Sequence, residues 1–164
     1  MTQASVDVGN GTAIPDFIQA WATGWSTSSD PSLLLGTVTD DVVFEDVAIG
    51  DVLRGADALK ALLGEVQTAV PDFTVAVQTA FATESMAAAE YVISGTQSGD
   101  LPYLAASGKS FSIRASSVFE LDAGKIRRES RYYDAARFLS DLGGLNQATF
   151  DNFGTPASVP GGRA

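Results

Sequence analysis

The chemistry open to this chain is limited first by two residue types that it lacks. Its 164 residues include no histidine and no cysteine. Disulfides, thiolate nucleophiles, serine–histidine catalysis and nearly all zinc sites are therefore excluded. Acid–base chemistry must use Asp, Glu, Tyr, Lys or Arg side chains, or a water molecule that they hold. The catalytic candidates are Asp46 as a base, Arg131 as a donor to an oxyanion, and Tyr133 as a hydroxyl donor.

Polar residues of the segment 111–133 are predicted to converge on one face of a β-hairpin. In the stretch 111–121 apolar and polar residues alternate, which is typical of a strand with one buried face. Asp122-Ala123-Gly124 suits a three-residue hairpin loop that ends on glycine. Since cross-strand partners share a face, the polar residues of the second strand should lie near Ser117 among apolar side chains. The expected pairs are Ser117 with Glu129, Ala115 with Arg131, and Ile113 with Tyr133.

Composition and charge indicate one globular domain. The chain is 45% hydrophobic and 18% charged, and its net charge is −10. So acidic a chain lacks the basic surface that nucleic-acid binding and anionic membranes require. The N-terminus has no basic region followed by an apolar run, and no stretch approaches the roughly 18 apolar residues of a membrane span. A cytoplasmic protein without nucleic-acid or membrane partners is expected.

The helices and strands that must position the candidate residues are predicted from the spacing of apolar residues and from residues that begin or end such elements. A helix is predicted from Thr12, with Trp21 and Trp25 on its apolar face, and a loop at 97–109 carries Tyr103 near a cavity opening. Residues 1–11 are expected to be flexible, 12–143 to form the domain, and 144–164 to be a tail, either disordered or laid across a surface. The other predicted elements are a short helix at 31–35, a strand at 42–46, a helix at 56–69, strands at 73–82 and 86–96, the hairpin, and a helix between Asp134 and Gly143.

Segregated helices and strands indicate the α+β class. We expect a curved antiparallel sheet, wrapped by three N-terminal helices and a short C-terminal helix, that forms a hollow cone. The concave face of such a sheet must be filled by side chains or by a ligand.

Four segments resemble the SnoaL-like polyketide cyclase branch of the NTF2-like, or cystatin-like cone, superfamily. They are VTDDVVFEDVAIGDVLRGADALKALL at 38–63, PDF at 71–73, SGTQSGDLPYLAASGKSF at 94–111 and DAGKIRRESRYYDAARFLSDLG at 122–143. The resemblance implies the cone fold and an enzyme that needs no metal or organic cofactor. It also implies a homodimer formed through the outer face of the sheet, where alternation places Ser112, Arg114, Ser116 and Val118.

The resemblance extends to particular positions. DDVVFEDVAIG is similar to the ketosteroid isomerases, in which the matching aspartate, here Asp46, is the general base. Their helical tyrosine matches Trp21 and their protonated aspartate matches Ser117. In the polyketide cyclases, an acid–base His and Asp match Ser117 and Arg131. Limonene-epoxide hydrolases use an Asp–Arg–Asp set, which Asp46, Arg131 and Glu129 could imitate by residue type.

Each candidate also has a purely structural interpretation. Asp46 is either a base in a dry pocket or a solvated turn residue. Arg131 either binds an oxyanion or pairs with Glu129 or Asp46. The tyrosines either offer hydroxyl groups to a ligand or only pack, and Ser117 is either a ligand contact or a satisfied core serine. The predicted substrate-binding residues are Trp21, Tyr91, Tyr103, Ser117, Phe119 and Glu129.

The sequence therefore predicts a cyclase, isomerase or lyase that acts by acid–base chemistry on a hydrophobic, oxygenated small molecule resembling a polyketide or a terpenoid. One alternative is an epoxide-opening hydrolase or cyclase that uses the same pocket. The other is a carrier that binds a small ligand without reacting with it.

Overall fold

The computed structural model describes residues 13–26 and 30–144. The predicted flexible segment 1–11 and all of the predicted tail except Gly144 lie outside the described residues. None of the helices in the described ranges is long and apolar enough to cross a membrane. The elements are α1 Asp16–Trp25, α2 Pro31–Gly36, β1 Val38–Asp46, β2 Asp51–Arg54, α3 Ala56–Ala69, β3 Thr74–Ala82, β4 Met86–Thr96, β5 Ser110–Asp122, β6 Lys125–Tyr133 and α4 Ala135–Leu142.

The six strands form one curved sheet in the order β2-β1-β6-β5-β4-β3. All neighbours are antiparallel except β1 and β6, which pair in parallel and place Asp46 beside Arg131. The helices pack on the concave side, so the predicted α+β cone of the NTF2-like kind is confirmed. The parallel pairing joins the first strand of the chain to the last.

Helix α1 closes the narrow end of the cone because its apolar side chains recur at helical spacing. Ile18, Trp21 and Trp25 are fully buried. A Cβ atom at Gly24 would lie 2.4 Å from the backbone nitrogen of Leu34, so only glycine lets α2 approach α1 this closely. The helix begins at Asp16 rather than at Thr12, because Pro15 has an extended conformation and serves as the N-cap residue.

Strand β2 was not predicted; the sequence indicated only a loop at 47–55. Residues Asp51–Arg54 pair with the end of β1 after a turn in which Gly50 has a φ of 75°. The strand lies at the edge of the sheet and is mostly exposed, so its sequence shows no alternation of apolar and polar residues. Strand β1 is also longer than predicted, since it begins at Val38.

The hairpin of β5 and β6 has a different register from the predicted one. Its loop has two residues, Ala123 and Gly124, since Asp122 pairs with Lys125. A register shift between Glu120 and Leu121 then leaves Arg127 without a paired residue on β5. As a result, Ser117 faces Arg131 rather than Glu129. The shorter loop and the bulge each move the pairing by one residue and together restore the predicted face. The predicted pairs are wrong, but the polar residues do share the concave face.

Asparagine in place of Ala123 should stabilise the hairpin. Ala123 has a φ of 48°, and it is the one residue other than glycine with a positive φ in the described part of the chain. Asparagine followed by glycine is the preferred pair for a two-residue turn of this kind. We expect Ala123→Asn to raise the free energy of unfolding by roughly 0.5–1 kcal/mol in urea denaturation. An unchanged or lower stability would contradict this interpretation of the turn.

Candidate active site

A cavity of about 870 Å³ opens at the wide end of the cone. It lies between the concave face of the sheet, helices α3 and α4, and the loop at 97–109. Tyr103 stands at the opening and is 61% exposed. Most of the inner wall is hydrophobic, and its large side chains include Leu62, Val66, Phe73, Ile93, Phe111, Ile113 and Phe138. A cavity of this size and character is typical of sites for small apolar molecules.

Asp46 and Tyr133 meet on the sheet side of this cavity. The Tyr133 hydroxyl donates a hydrogen bond of 3.2 Å to Oδ2 of Asp46. The other carboxylate oxygen, Oδ1, is buried and accepts no hydrogen bond from any described residue. Because Asp46 is the last residue of β1, its side chain lies where the sheet borders the cavity. Asp46 itself lines the cavity, while its Oδ1 atom is shielded from solvent.

Burial raises the pKa of the Asp46 carboxyl above its ordinary value. The positive charge of Arg131, the Tyr133 hydroxyl and the backbone amides of Ile49 and Ala48 oppose this effect only in part. A carboxylate with a raised pKa is a stronger base once it is ionised, which suits proton transfer.

The same shift predicts how Asp46 affects stability. The folded chain binds the Asp46 proton more tightly than the unfolded chain, so ionisation lowers stability once the pH has risen through the folded-state pKa. Asp46→Asn keeps the shape without the charge and should raise the free energy of unfolding at neutral pH. This gain should shrink as the pH falls toward about 4, because the folded chain takes up the Asp46 proton at a higher pH than the unfolded chain does. Urea denaturation at both pH values checks this, and a stability loss of equal size at both would refute it.

Arg131 lies beside Asp46 and is almost fully buried. Its guanidinium carbon is 4.4 Å from the centre of the Trp25 ring and 4.8 Å from that of Phe44, so the cation rests between aromatic faces. Burial alone would lower the pKa of Arg131, but the neighbouring Tyr91, Glu129 and Asp46 outweigh it and the pKa is raised. The cavity therefore has a permanent positive charge in its wall.

Glu129 is the main partner of that charge. Its Oε1 atom accepts hydrogen bonds from Nη2 and Nε of Arg131 at 3.1 and 3.3 Å, and from the Ser117 hydroxyl at 2.9 Å. Its Oε2 atom accepts one of 2.8 Å from the Trp21 indole. All four bonds come from groups that stabilise a carboxylate. Glu129 is thus a fully bonded counterion, as the ion-pair interpretation of Arg131 required.

The hydroxyl groups of this network have fixed directions. Ser117 donates its one hydrogen to Glu129, so in the 2.7 Å contact between Tyr91 and Ser117 the Tyr91 hydroxyl must be the donor. Burial raises the pKa of Tyr91 to about 12, although Arg131 opposes this. Burial and the charge of Asp46 likewise raise the pKa of Tyr133. Both phenols stay protonated, but only Tyr133 lies in the cavity wall.

The structure separates the predicted site residues into two groups. Asp46, Arg131, Tyr133 and Tyr103 line the cavity. The other predicted binding residues lie in the closed narrow end of the cone, outside the cavity lining: Trp21, Tyr91, Ser117, Phe119 and Glu129. There the Trp21 ring packs edge-on against Tyr91 and Phe119 at 5.1 and 5.2 Å.

The cavity also has residues that the sequence did not single out. Asp51, Glu65 and Asp100 bring three further carboxylates to its wall. Of these, Glu65 could have been found from the sequence, because it lies beside Leu62 and Val66 on the predicted third helix. Outside the cavity lining, the sequence also did not single out Gln97, the first residue of the loop at 97–109, which is fully buried.

The geometry of the cone and of its cavity agrees with comparisons to known proteins. The family model of the SnoaL-like polyketide cyclases matches residues 16–142. The chain therefore belongs to the SnoaL-like polyketide cyclase family, and this membership supports a cyclase- or isomerase-type activity. Among curated proteins, none matches the sequence significantly.

Solved structures agree on the fold. A protein from Catenulispora acidiphila with a ketosteroid isomerase-like fold, determined with trimethylamine, is 20% identical with a TM-score of 0.70, over 80% of this chain and 95% of its own. A proposed polyketide cyclase from Pseudomonas putida is 21% identical with a TM-score of 0.69, over 80% and 98%. For IdmH of Streptomyces antibioticus, another proposed polyketide cyclase, the values are 20%, 0.66, 78% and 96%. Such identities establish the fold, which hosts many reactions.

Proposed function

We propose that this protein is a cofactor-independent enzyme of the cyclase or isomerase type that acts by acid–base chemistry on a hydrophobic, oxygenated small molecule. One observation carries the proposal: a carboxylate with a raised pKa, Asp46, lies beside a permanent cation, Arg131, in the wall of a largely hydrophobic cavity. A polyketide- or terpenoid-like compound has the size and the apolar character that this cavity favours.

The first step is removal of a proton from a carbon next to a carbonyl group. The C–H bond breaks, the carboxylate of Asp46 gains the proton, and the electron pair moves into an enolate. Arg131 stabilises the negative charge that develops on the enolate oxygen, because this residue lines the cavity and its guanidinium stays charged. Tyr133 orients the carboxylate through its hydrogen bond to Oδ2.

Cyclisation and isomerisation share this step and differ in the fate of the enolate. In a cyclisation, the enolate carbon attacks a second carbonyl carbon of the same molecule, and the new alkoxide takes up the proton from Asp46, which returns the carboxylate to its ionised form. In an isomerisation, Asp46 returns its proton to another carbon of the conjugated system. A flexible substrate with several carbonyl groups leads to the first outcome, and an unsaturated ketone leads to the second.

The epoxide-opening alternative needs a second carboxylate at the attacking water. Glu129 was the candidate for that role, but its four hydrogen bonds and its burial behind Arg131 keep it outside the cavity lining. The predicted set of Asp46, Arg131 and Glu129 is therefore not assembled around the cavity, and this weakens the epoxide-opening alternative.

For the quaternary structure we keep the homodimer as a proposal. Ser112, Arg114, Ser116 and Val118 are exposed on the outer face of β5, as a dimer surface would be in an isolated chain. Sedimentation of the purified protein tests this; a monomer at micromolar concentration would refute it.

A small ketone can test the enzymatic proposal before the natural substrate is known. We expect the protein to accelerate the exchange of deuterium from solvent into the acidic carbon position of 2-tetralone, followed by NMR. Binding of 2-tetralone without faster exchange would favour the carrier alternative. Absence of both binding and exchange would count against the cavity as a site for apolar ketones.

A further inference from the structure

The loop at 97–109 forms one side of the cavity opening. Five successive residues of this irregular segment, 100–104, line the cavity. Leu101 and Leu104 exchange two backbone hydrogen bonds of 2.9 and 3.1 Å, which folds this stretch into a tight turn. The position of the turn therefore decides how wide the opening is.

One buried side chain holds this turn from behind. Gln97 is fully buried, and its Nε2 atom donates to the carbonyl oxygens of Leu104 and Ala105 at 3.0 and 3.2 Å. Its Oε1 atom accepts from the backbone nitrogen and the hydroxyl of Ser107 at 3.3 and 2.8 Å. Gln97 thus bonds to three residues at the end of the turn while its own backbone stays tied to Lys109 and Gly108.

Only a primary amide satisfies this set of partners. The two carbonyl groups can only accept, and the Ser107 backbone nitrogen can only donate, so the side chain must offer two donors and an acceptor in one plane. A carboxylate at position 97 would face two carbonyl oxygens, and an apolar side chain would leave buried polar groups unpaired. This requirement for an amide side chain indicates that Gln97 has a specific role in positioning the turn.

We propose that Gln97 is a positioning residue that fixes the loop wall of the cavity and so determines how long a ligand the cavity accepts. Gln97 is absent from the cavity lining and acts through residues 101–104. The inference rests on the proposed function in one respect, since it takes this cavity as the ligand site. It makes no assumption about the reaction.

Two neutral probes of different length separate the loop wall from the rest of the cavity. Nile red is the longer probe and is expected to reach the loop wall, whereas the shorter 2-naphthol is expected to bind without contacting that wall. Fluorescence titration at pH 7 gives both dissociation constants, at a temperature where circular dichroism shows every variant to be folded. We expect Gln97→Met to weaken Nile red binding about tenfold and 2-naphthol binding by less than about twofold.

Two further variants keep the test sharp. Ser107→Ala removes one of the four hydrogen bonds of the Gln97 side chain. Like Gln97→Met, it should weaken Nile red binding, here about threefold. The control Thr37→Val removes a buried hydrogen bond of 2.7 Å to the Leu34 carbonyl, far from the loop, and should change neither dissociation constant.

Equal weakening of both probes in folded Gln97→Met, or no change in either, would overturn the inference while the ligand site stands. Failure of the wild-type protein to bind either probe would overturn the ligand site as well, so the two failures are distinguishable.

Discussion

Replacement of Asp46 by Asn should lower the rate of deuterium exchange into 2-tetralone by about 10²–10⁴-fold, the range that a positioned general base contributes. The amide cannot accept the proton, while its shape and the partner hydroxyl of Tyr133 are retained. Binding of the ketone should change little, because the apolar wall is intact. The loss should therefore appear in kcat rather than in KM.

The matched control is Asp51→Asn. Asp51 also lines the cavity but is exposed, and its Oδ1 atom accepts a hydrogen bond from the adjacent Val52 amide. This variant should keep the exchange rate within about twofold of the wild type, as expected for a group outside the proton-transfer step. If Asp46→Asn kept full activity in a folded protein, Asp46 would not be the base and the mechanism would fail.

The second large effect concerns stability. Glu129→Ala should lower the free energy of unfolding by about 3–5 kcal/mol, because it leaves Arg131 as a buried charge without its counterion. The indole of Trp21 and the hydroxyl of Ser117 lose their acceptor at the same time. Since a domain has only about 5–15 kcal/mol in total, this one change removes a large part of the stability.

Glu90→Ala provides the contrast. Glu90 pairs with Arg114 on the outer face of the sheet, where the side chains are 40% and 77% exposed. Its loss should cost no more than about 1 kcal/mol in the same urea titration. A Glu129→Ala protein no less stable than Glu90→Ala would show that the buried pair does not hold the narrow end together.

The double variant Glu129→Met, Arg131→Met serves if Glu129→Ala alone fails to fold. Removing both charges of a buried pair is often close to neutral for stability, so this chain should fold and regain part of the lost stability, although the Trp21 indole and the Ser117 hydroxyl still lack their acceptor. It should nevertheless lose the exchange activity, because the cation in the cavity wall is gone. An unstable double variant would mean that the apolar side chains do not fit the space.

The sequence predicted which face of the sheet a residue takes, but not how deep in the cone it lies. Alternation along β5 correctly placed Phe111, Ile113, Ser117 and Phe119 on one face. In the structure the first two line the cavity and the last two are sealed in the narrow end. Depth depends on sheet curvature and on where α1 packs, and neither leaves a periodic signal in a single strand.

The same limit explains the predicted ligand contacts that lie outside the cavity. Trp21 was expected to reach a ligand, because it matches a catalytic tyrosine in the ketosteroid isomerases. Its indole nitrogen instead bonds to Glu129, 108 positions away in the sequence. Pairing across such a distance follows from tertiary packing, whereas the Glu129–Arg131 pair was predictable because the two residues lie on one face of one strand.

The sequence predicted the correct face of β6 only because two errors in the predicted register cancelled. The two-residue loop and the bulge at Arg127 are both local features with weak sequence signals, and each alone would have turned Glu129 and Arg131 to the outer face. The helix bounds 56–69 and the cap of the last helix were predicted correctly, because a glycine, a proline and an acceptor side chain mark these ends.

The parallel pairing of β1 with β6 also determines when, during folding, the site can exist. Asp46 and Tyr133 are 87 positions apart, and Asp46 gains its neighbour Arg131 only when the last strand docks against the first. Contacts between such distant segments are slow to form, because a long loop must close before they can stabilise the chain.

On the ribosome, one edge of β1 therefore stays unpaired until residues 125–133 have been synthesised. Its other edge can already pair with β2. Until then the chain has neither the cation beside Asp46 nor the hydroxyl that holds it. Assembly of the candidate site is in this sense a late event, and a chain that stops before β6 would lack the site and be prone to aggregate along β1.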